Sequence, residues 1–280
     1  MSMSDRDSEV LRALSAARGS HEELVDLLDF YLELFEVQFQ AKAELDDPQV
    51  RDEVGMRWRL EGGIPQLTFD QLGLCPEPFS NLVASVAVVL LRHNPGWRVD
   101  RESWTAENLM AQARVVFESW DTLTAPKSTS KGPEESKGEL DHPTALAVGF
   151  ALAPFLQRAA EVILPRLDLT LWTQDHCPVC GGEPNFAILE ETRGARRLLC
   201  SRCNALWPYR RVGCPYCGSR EKQIYYPSDD GVYRLYVCPD CKRYLKTMDL
   251  RGIYRKVYPE VERLLTVGMD LAARGQGYGA

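Results

Sequence analysis

A helical first domain, then a duplicated small β unit, then a closing helix is the fold class the sequence predicts, on three observations. Apolar residues recur at helical spacing through the first 168 positions. Four C-x-x-C pairs follow between Cys177 and Cys241, and they hold eight of the nine cysteines. Beyond them, residues 257–273 return to helical spacing, at Val261, Leu264, Leu265, Val267, Met269 and Leu271. At 280 residues, with 45% hydrophobic and 26% charged content, the chain has the material for more than one core.

The first helix is expected over residues 9–17, ended by Gly19. Ser20 then stands as a cap with Glu23 three positions on. Leu24, Leu27, Leu28, Tyr31, Leu34 and Phe35 form the buried stripe of the second helix, and His21 faces water beside its cap. Residues 46–63 are charged and partly helical until Gly62-Gly63-Ile64-Pro65 breaks them. Residues 79–92 read as a buried helix whose apolar run is too short to cross a bilayer. Cys75, just before it, has no second thiol near it in sequence and reads as an inert thiol. His93 beside Asn94-Pro95-Gly96 marks a helix end, and a further helix over residues 106–117 points Leu109, Ala113 and Val116 inward.

Residues 126–139 are polar apart from their prolines and predict a mobile loop. Asp141-His142-Pro143-Thr144 starts a helix that is apolar nearly all round and is interrupted at Pro154, as the central helix of a domain would be. His142 reads as a helix-start residue rather than a ligand, and His176 as a linker histidine within reach of a thiolate.

The cysteine pairs are Cys177/Cys180, Cys200/Cys203, Cys214/Cys217 and Cys238/Cys241. Two cysteines three positions apart can close on one ion only if the chain turns tightly between and after them. Cys177-Pro178-Val179-Cys180-Gly181 and Cys214-Pro215-Tyr216-Cys217-Gly218 supply a proline and a glycine for that turn. Asn204 tolerates the left-handed conformation required after the second pair, and Lys242 tolerates it poorly. Residues 186–190 and 196–199 flank a turn at Arg193-Gly194, while 223–226 and 232–237 flank Ser228-Asp229-Asp230-Gly231, so each loop between pairs is a hairpin.

Knuckle, hairpin, knuckle, written twice, is the zinc-ribbon or rubredoxin plan, with one four-thiolate site per copy. The domain limits that follow are 1–168 for the helical domain, 169–212 and 213–255 for the two ribbons, and 256–280 for a closing helix with a frayed tail. The ligand sets are Cys177, Cys180, Cys200, Cys203 and Cys214, Cys217, Cys238, Cys241, for two ions of iron or zinc. Disulfides are the competing use of these residues. The chain reads as lacking a secretory leader and is not cysteine-dense outside the array, which favours metal.

The runs C-P-V-C-G-G-E-P, C-S-R-C-N-A-L-W, R-V-G-C-P-Y-C-G and C-P-D-C-K-R-Y-L-K resemble the formate dehydrogenase accessory protein family, FdhE. The R-G-Q-G-Y of the tail is similar as well. The resemblance implies a cytoplasmic maturation factor, and the residues themselves, with no phosphate-cradling glycine loop, Ser/His/Asp order or isolated carboxylate pair, do not read as an enzyme. The resemblance also implies rubredoxin-like iron sites and, as partner, the catalytic subunit of a molybdenum- or tungsten-dependent formate dehydrogenase.

Two other functions compete on the residues alone. Iron in four thiolates can carry electrons. Arg193, Arg196, Arg197, Arg202, Arg210 and Arg211, interleaved with Trp207 and Tyr209, could contact nucleic acid. The net charge of -7 argues against the second. Residues 177–256 hold 15 Lys plus Arg against 8 Asp plus Glu, and the remainder 18 against 32. Two tetrathiolate sites on divalent ions, at about -2 each, would leave the ribbons only about +3. Neither nucleic-acid binding nor membrane insertion is expected.

Overall fold

The computed structural model describes residues 2–99, 104–124, 142–220 and 224–279. The predicted mobile loop at 126–139 and the first residue of the second hairpin, Gln223, lie outside them. So does the side chain of His142, the residue at which α6 begins. The chain divides into two compact units, Met1–Pro48 with Phe69–Arg158 and Gln49–Thr68 with Ala159–Ala280.

The first unit is built from α1 (Asp5–Arg18), α2 (Val25–Ala43), α4 (Pro76–His93), α5 (Ala106–Thr124) and most of α6 (His142–Ile163). The helix α1 begins earlier than its apolar pattern indicates, because Ser4 accepts a hydrogen bond from the Asp7 backbone N–H. Ser20 does not cap α2. Its hydroxyl donates back to Ala16 O, and a single 3-10 turn over Glu22–Leu24 leads into the helix. The expected stripe does face inward, with Leu28, Leu34 and Phe35 buried, and Leu109, Ala113 and Val116 of α5 are buried as well.

Between α1 and α2 lies a buried ion pair, Lys42 Nζ to Asp7 at 2.6 Å. Such a pair is costly to break, because the survivor is left as an unpaired buried charge. The window around α6 is long and apolar enough to cross a membrane by length and composition, but 61% of it is buried within the protein, as in a core helix.

The second unit centres on one six-stranded sheet, with β1 (Pro184–Leu189), β2 (Arg196–Cys200), β3 (Leu206–Tyr209), β4 (Ile224–Pro227), β5 (Tyr233–Val237) and β6 (Tyr244–Asp249) in the order β3-β2-β1-β6-β5-β4. The two ribbons are therefore not separate bodies. Each is an antiparallel three-stranded meander, and the pair is welded by parallel pairing of β1 with β6, Phe186 opposite Lys246 through Leu189 opposite Asp249. Phe186, Ile188, Leu199 and Met248 form a core shared by both ribbons.

The segment Gln49–Thr68, which contains α3 (Glu53–Glu61), belongs to this unit although its sequence reads as part of the helical domain. Backbone bonds bring it in: Gln66 N–H donates to Pro178 O at 2.9 Å and Leu67 N–H to Val179 O at 2.8 Å. The closing helix is two helices, α7 (Pro259–Leu265) and α8 (Val267–Gly275), interrupted at Thr266.

The tail is tied down rather than frayed. Gly279 N–H donates to Lys242 O at 2.7 Å, its carbonyl accepts from Tyr244 N–H, and Tyr278 packs with Leu235, Val237, Tyr244 and Ala273.

Candidate metal centres

All nine cysteines are free thiols, and eight of them gather into two groups of four. The local backbone explains why. In every pair, the N–H of the first cysteine donates to the carbonyl five residues on: Cys177 to Gly182, Cys200 to Ala205, Cys214 to Ser219 and Cys238 to Arg243, at 2.8 to 2.9 Å. The residue after each second cysteine turns left-handed, with φ of 76° at Gly181, 58° at Asn204, 74° at Gly218 and 57° at Lys242. Four copies of one turn thus present their sulfurs in the same way. The strain anticipated at Lys242 is present, since a side chain in this conformation costs roughly 1–2 kcal/mol.

Within the first group, Sγ atoms lie 3.5 Å apart for Cys177 with Cys203 and 3.5 Å for Cys180 with Cys200. In the second, Cys214 with Cys241 and Cys217 with Cys238 are both at 3.6 Å, and all ligand atoms in each group fall within 4.8 Å of one another. A tetrahedron with metal–sulfur bonds of about 2.3 Å has edges of about 3.8 Å, so either group could hold a tetrahedral ion.

The electrostatics agree with that use. Burial pushes the Cys177 and Cys203 thiols well up, while hydrogen bonding from Cys177, then from Cys200 and Cys203, with the charge of Arg202 beside it, holds Cys180 well down. In the second group, burial raises Cys214 and Cys241. Burial opposes but does not outweigh the backbone N–H groups of Cys241 and Asp240, which hold Cys238 low. A bound cation removes the conflict by stabilising all four thiolates together.

The groups differ in cover. Cys177, Cys180, Cys200 and Cys203 are all buried, whereas in the second group Cys217 is exposed and Cys241 half-exposed. Between the groups runs a polar clamp that sequence reasoning did not identify. Arg243, two positions after Cys241, makes a two-pronged ion pair with Glu183, three positions after Cys180, at 2.9 and 2.5 Å. Its guanidinium lies 3.7 Å from the ring centre of Tyr216, and the Tyr216 hydroxyl is shared between Pro184 O on β1 and Tyr244 O on β6. Tyr216 stands between Cys214 and Cys217, so a knuckle residue is what spans the weld between the ribbons.

The remaining candidates are spoken for. His176 Nδ1 lies 3.2 Å from Asp175, and the ring packs edge-on against Trp172. Exposed Cys75 sits at the start of α4. Of the residues that suggested a nucleic-acid face, Arg196, Arg202 and Trp207 are buried, Arg197 donates to Leu206 O, and Arg210 donates to Gly218 O.

Comparison with known proteins accords with this architecture. The FdhE central-domain family model matches residues 176–211, which is the first ribbon. The FdhE homologue of Shewanella oneidensis is 24% identical over 96% of the chain and 83% of that protein.

The chain resembles FdhE proteins.

The FdhE homologue of Stutzerimonas stutzeri is 33% identical over 146 residues, 46% of each chain, and that of Shewanella baltica 27% identical over 61% of this chain and 56% of its own. The chain thus spans about half the length of these two relatives. The crystal structure of the FdhE protein from Pseudomonas aeruginosa shares the fold, with a TM-score of 0.64 at 22% identity over 98% of this chain and 91% of that one.

Proposed function

We propose that this FdhE-type accessory protein binds the catalytic subunit of a formate dehydrogenase in the cytoplasm, with one metal ion in each cysteine cluster keeping the ribbon half in its binding form. Cys177, Cys180, Cys200 and Cys203 would hold one ion, and Cys214, Cys217, Cys238 and Cys241 the other. When bound, each ion supplies a four-way cross-link between knuckles far apart in sequence. The observation that carries the reading is the completeness of both clusters, each with four sulfurs at tetrahedral spacing. With four thiolates on an ion no coordination position is left for a substrate, which supports an accessory role over catalysis.

Metal analysis together with co-purification tests this. Protein purified without oxygen should carry two ions per chain, iron or zinc, and should retain the formate dehydrogenase catalytic subunit in a pull-down. Metal-stripped protein should lose it. Full retention after stripping contradicts the role given to the ions.

A second reading, electron transfer, is favoured by the exposure of Cys217 and Cys241, because a solvent-facing thiolate shortens the path to a redox partner. Reversible one-electron reduction of the iron-loaded protein would support it, and a zinc-filled protein without such a wave would count against it.

A further inference from the structure

We infer that Arg196 is the built-in countercharge of the second cysteine cluster, favouring the more negative, divalent form of a metal tetrathiolate there and making that site depend on the first ribbon. The inference rests on the metal-binding reading above and adds to it a residue outside both ligand sets.

Arg196 opens β2, in the first ribbon, and is 1% exposed. One of its nitrogens, Nη1, donates to Gly213 O at 3.0 Å, so the guanidinium holds the carbonyl directly before Cys214. The other two, Nε and Nη2, are buried without a hydrogen-bond partner. Its charged plane lies over the ring of Tyr236 at 4.9 Å, and it lines a small cavity together with Cys214, Cys238 and Arg243. Among the described residues, no carboxylate forms an ion pair with it.

A guanidinium removed from water without an ionised partner costs several kcal/mol, and such groups persist where an opposite charge compensates them. Arg243 has its own partner in Glu183. Of the groups that line the cavity with Arg196, Cys214 and Cys238 are the ones that carry negative charge once the cluster binds an ion. Four thiolates on a divalent ion sum to -2 and on a trivalent ion to -1, so a fixed positive charge beside them favours the divalent state.

The first cluster has a buried arginine too, which makes the pattern specific. Arg202, 8% exposed, gives its backbone N–H to Cys200 Sγ at 3.4 Å, and its side chain packs where a Cβ on Gly182 would stand. Arg202 belongs to a knuckle of the cluster it serves, whereas Arg196 crosses from the other ribbon. Loss of the first ribbon would therefore strip the second site of its compensating charge.

The test uses the full chain loaded with zinc, with release followed by a chromophoric chelator. The kinetic phase missing in Cys217→Ser is assigned to the second cluster. Arg196→Met and Arg196→Gln should accelerate that phase at least about tenfold and leave the other unchanged, while Arg196→Lys, which keeps the charge, should stay within about threefold of the parent. In iron-loaded protein the loss of the charge should lower the potential, by about 59 mV for each tenfold loss of ferrous over ferric preference in a one-electron couple.

The inference is overturned if Arg196→Gln releases zinc at the parental rate, if Arg196→Lys is as fast as Arg196→Gln, or if both phases accelerate together as a packing defect would make them. Should Arg196→Met fail to fold, the Gln and Lys variants decide the matter. A parent protein lacking the second phase altogether overturns the metal reading and this inference with it, so the two failures are told apart.

Discussion

The two cysteine clusters share one turn, one spacing and one ligand set, yet the first is sealed and the second is open. The first lies beneath a segment distant in sequence. Pro65 sits 3.2 Å from where a Cβ on Gly181 would be, and Gln66 and Leu67 hydrogen-bond to Pro178 and Val179 inside the first knuckle. Over the second lies the chain end, with Gly279 bonded to Lys242 and the Lys242 ammonium 5.8 Å from the Tyr278 ring centre. What differs is the cover and not the ligands. A ligand motif therefore fixes what can bind, and the surrounding chain fixes how readily it exchanges, reacts or meets a partner.

Removal of ligands should have the largest effect. Replacing Cys177 and Cys180 together by serine should unfold the ribbon half, since the free energy of structural zinc in small domains is on the order of 10 kcal/mol. Far-UV dichroism should retain most of its helical signal while amide exchange across β1 to β6 becomes fast. If the sheet stays protected, the first ion is not what organises it. Cys217→Ser should do far less, leaving the first ribbon protected and weakening only the second site.

Thiol reactivity sharpens the contrast at intermediate scale. With metal bound, an alkylating reagent read by mass spectrometry should modify Cys75 first and Cys217 next, and spare Cys177, Cys180, Cys200 and Cys203, which are all buried. Equal labelling of the two clusters would mean that the cover over the first is not maintained in solution.

The smallest effect is expected at the glycines that close the leading knuckles. Gly181→Ala must adopt φ near 76° and also meet Pro65, so it should cost roughly 1–2 kcal/mol and loosen the cover. Gly218→Ala meets only the tip of Arg210, at 3.4 Å, and should cost less in a thermal or denaturant melt. The reverse order would place the strain elsewhere.

Much of the site was legible in the sequence because its determinants are local. The C-x-x-C spacing, the glycines after Cys180 and Cys217, the awkward Lys242 and the Asp230-Gly231 turn each act within a few residues, and the structure has the knuckles and hairpins where those residues stand. The helix stripes were legible for the same reason. What could not be read depends on contacts between distant segments: the parallel pairing of β1 with β6, the packing of Gln49–Thr68 against the first knuckle, and the anchoring of the glycine-rich tail through Gly279. Ser20 shows the limit on a smaller scale, since a good capping sequence was overruled when its hydroxyl found the preceding helix instead. Arg196 looked like one of a row of hairpin arginines, and only its place at the start of an inner strand, paired on both sides, turns it inward.

Metal content and metal release, measured in one experiment, test the sealed and the open centre most directly. Protein purified without oxygen should contain two ions per chain by elemental analysis. A chelator should withdraw them in two phases at least about tenfold apart, the faster one abolished by Cys217→Ser. One ion per chain, a single phase, or a faster phase that survives in Cys217→Ser would contradict the division into a sealed and an open centre.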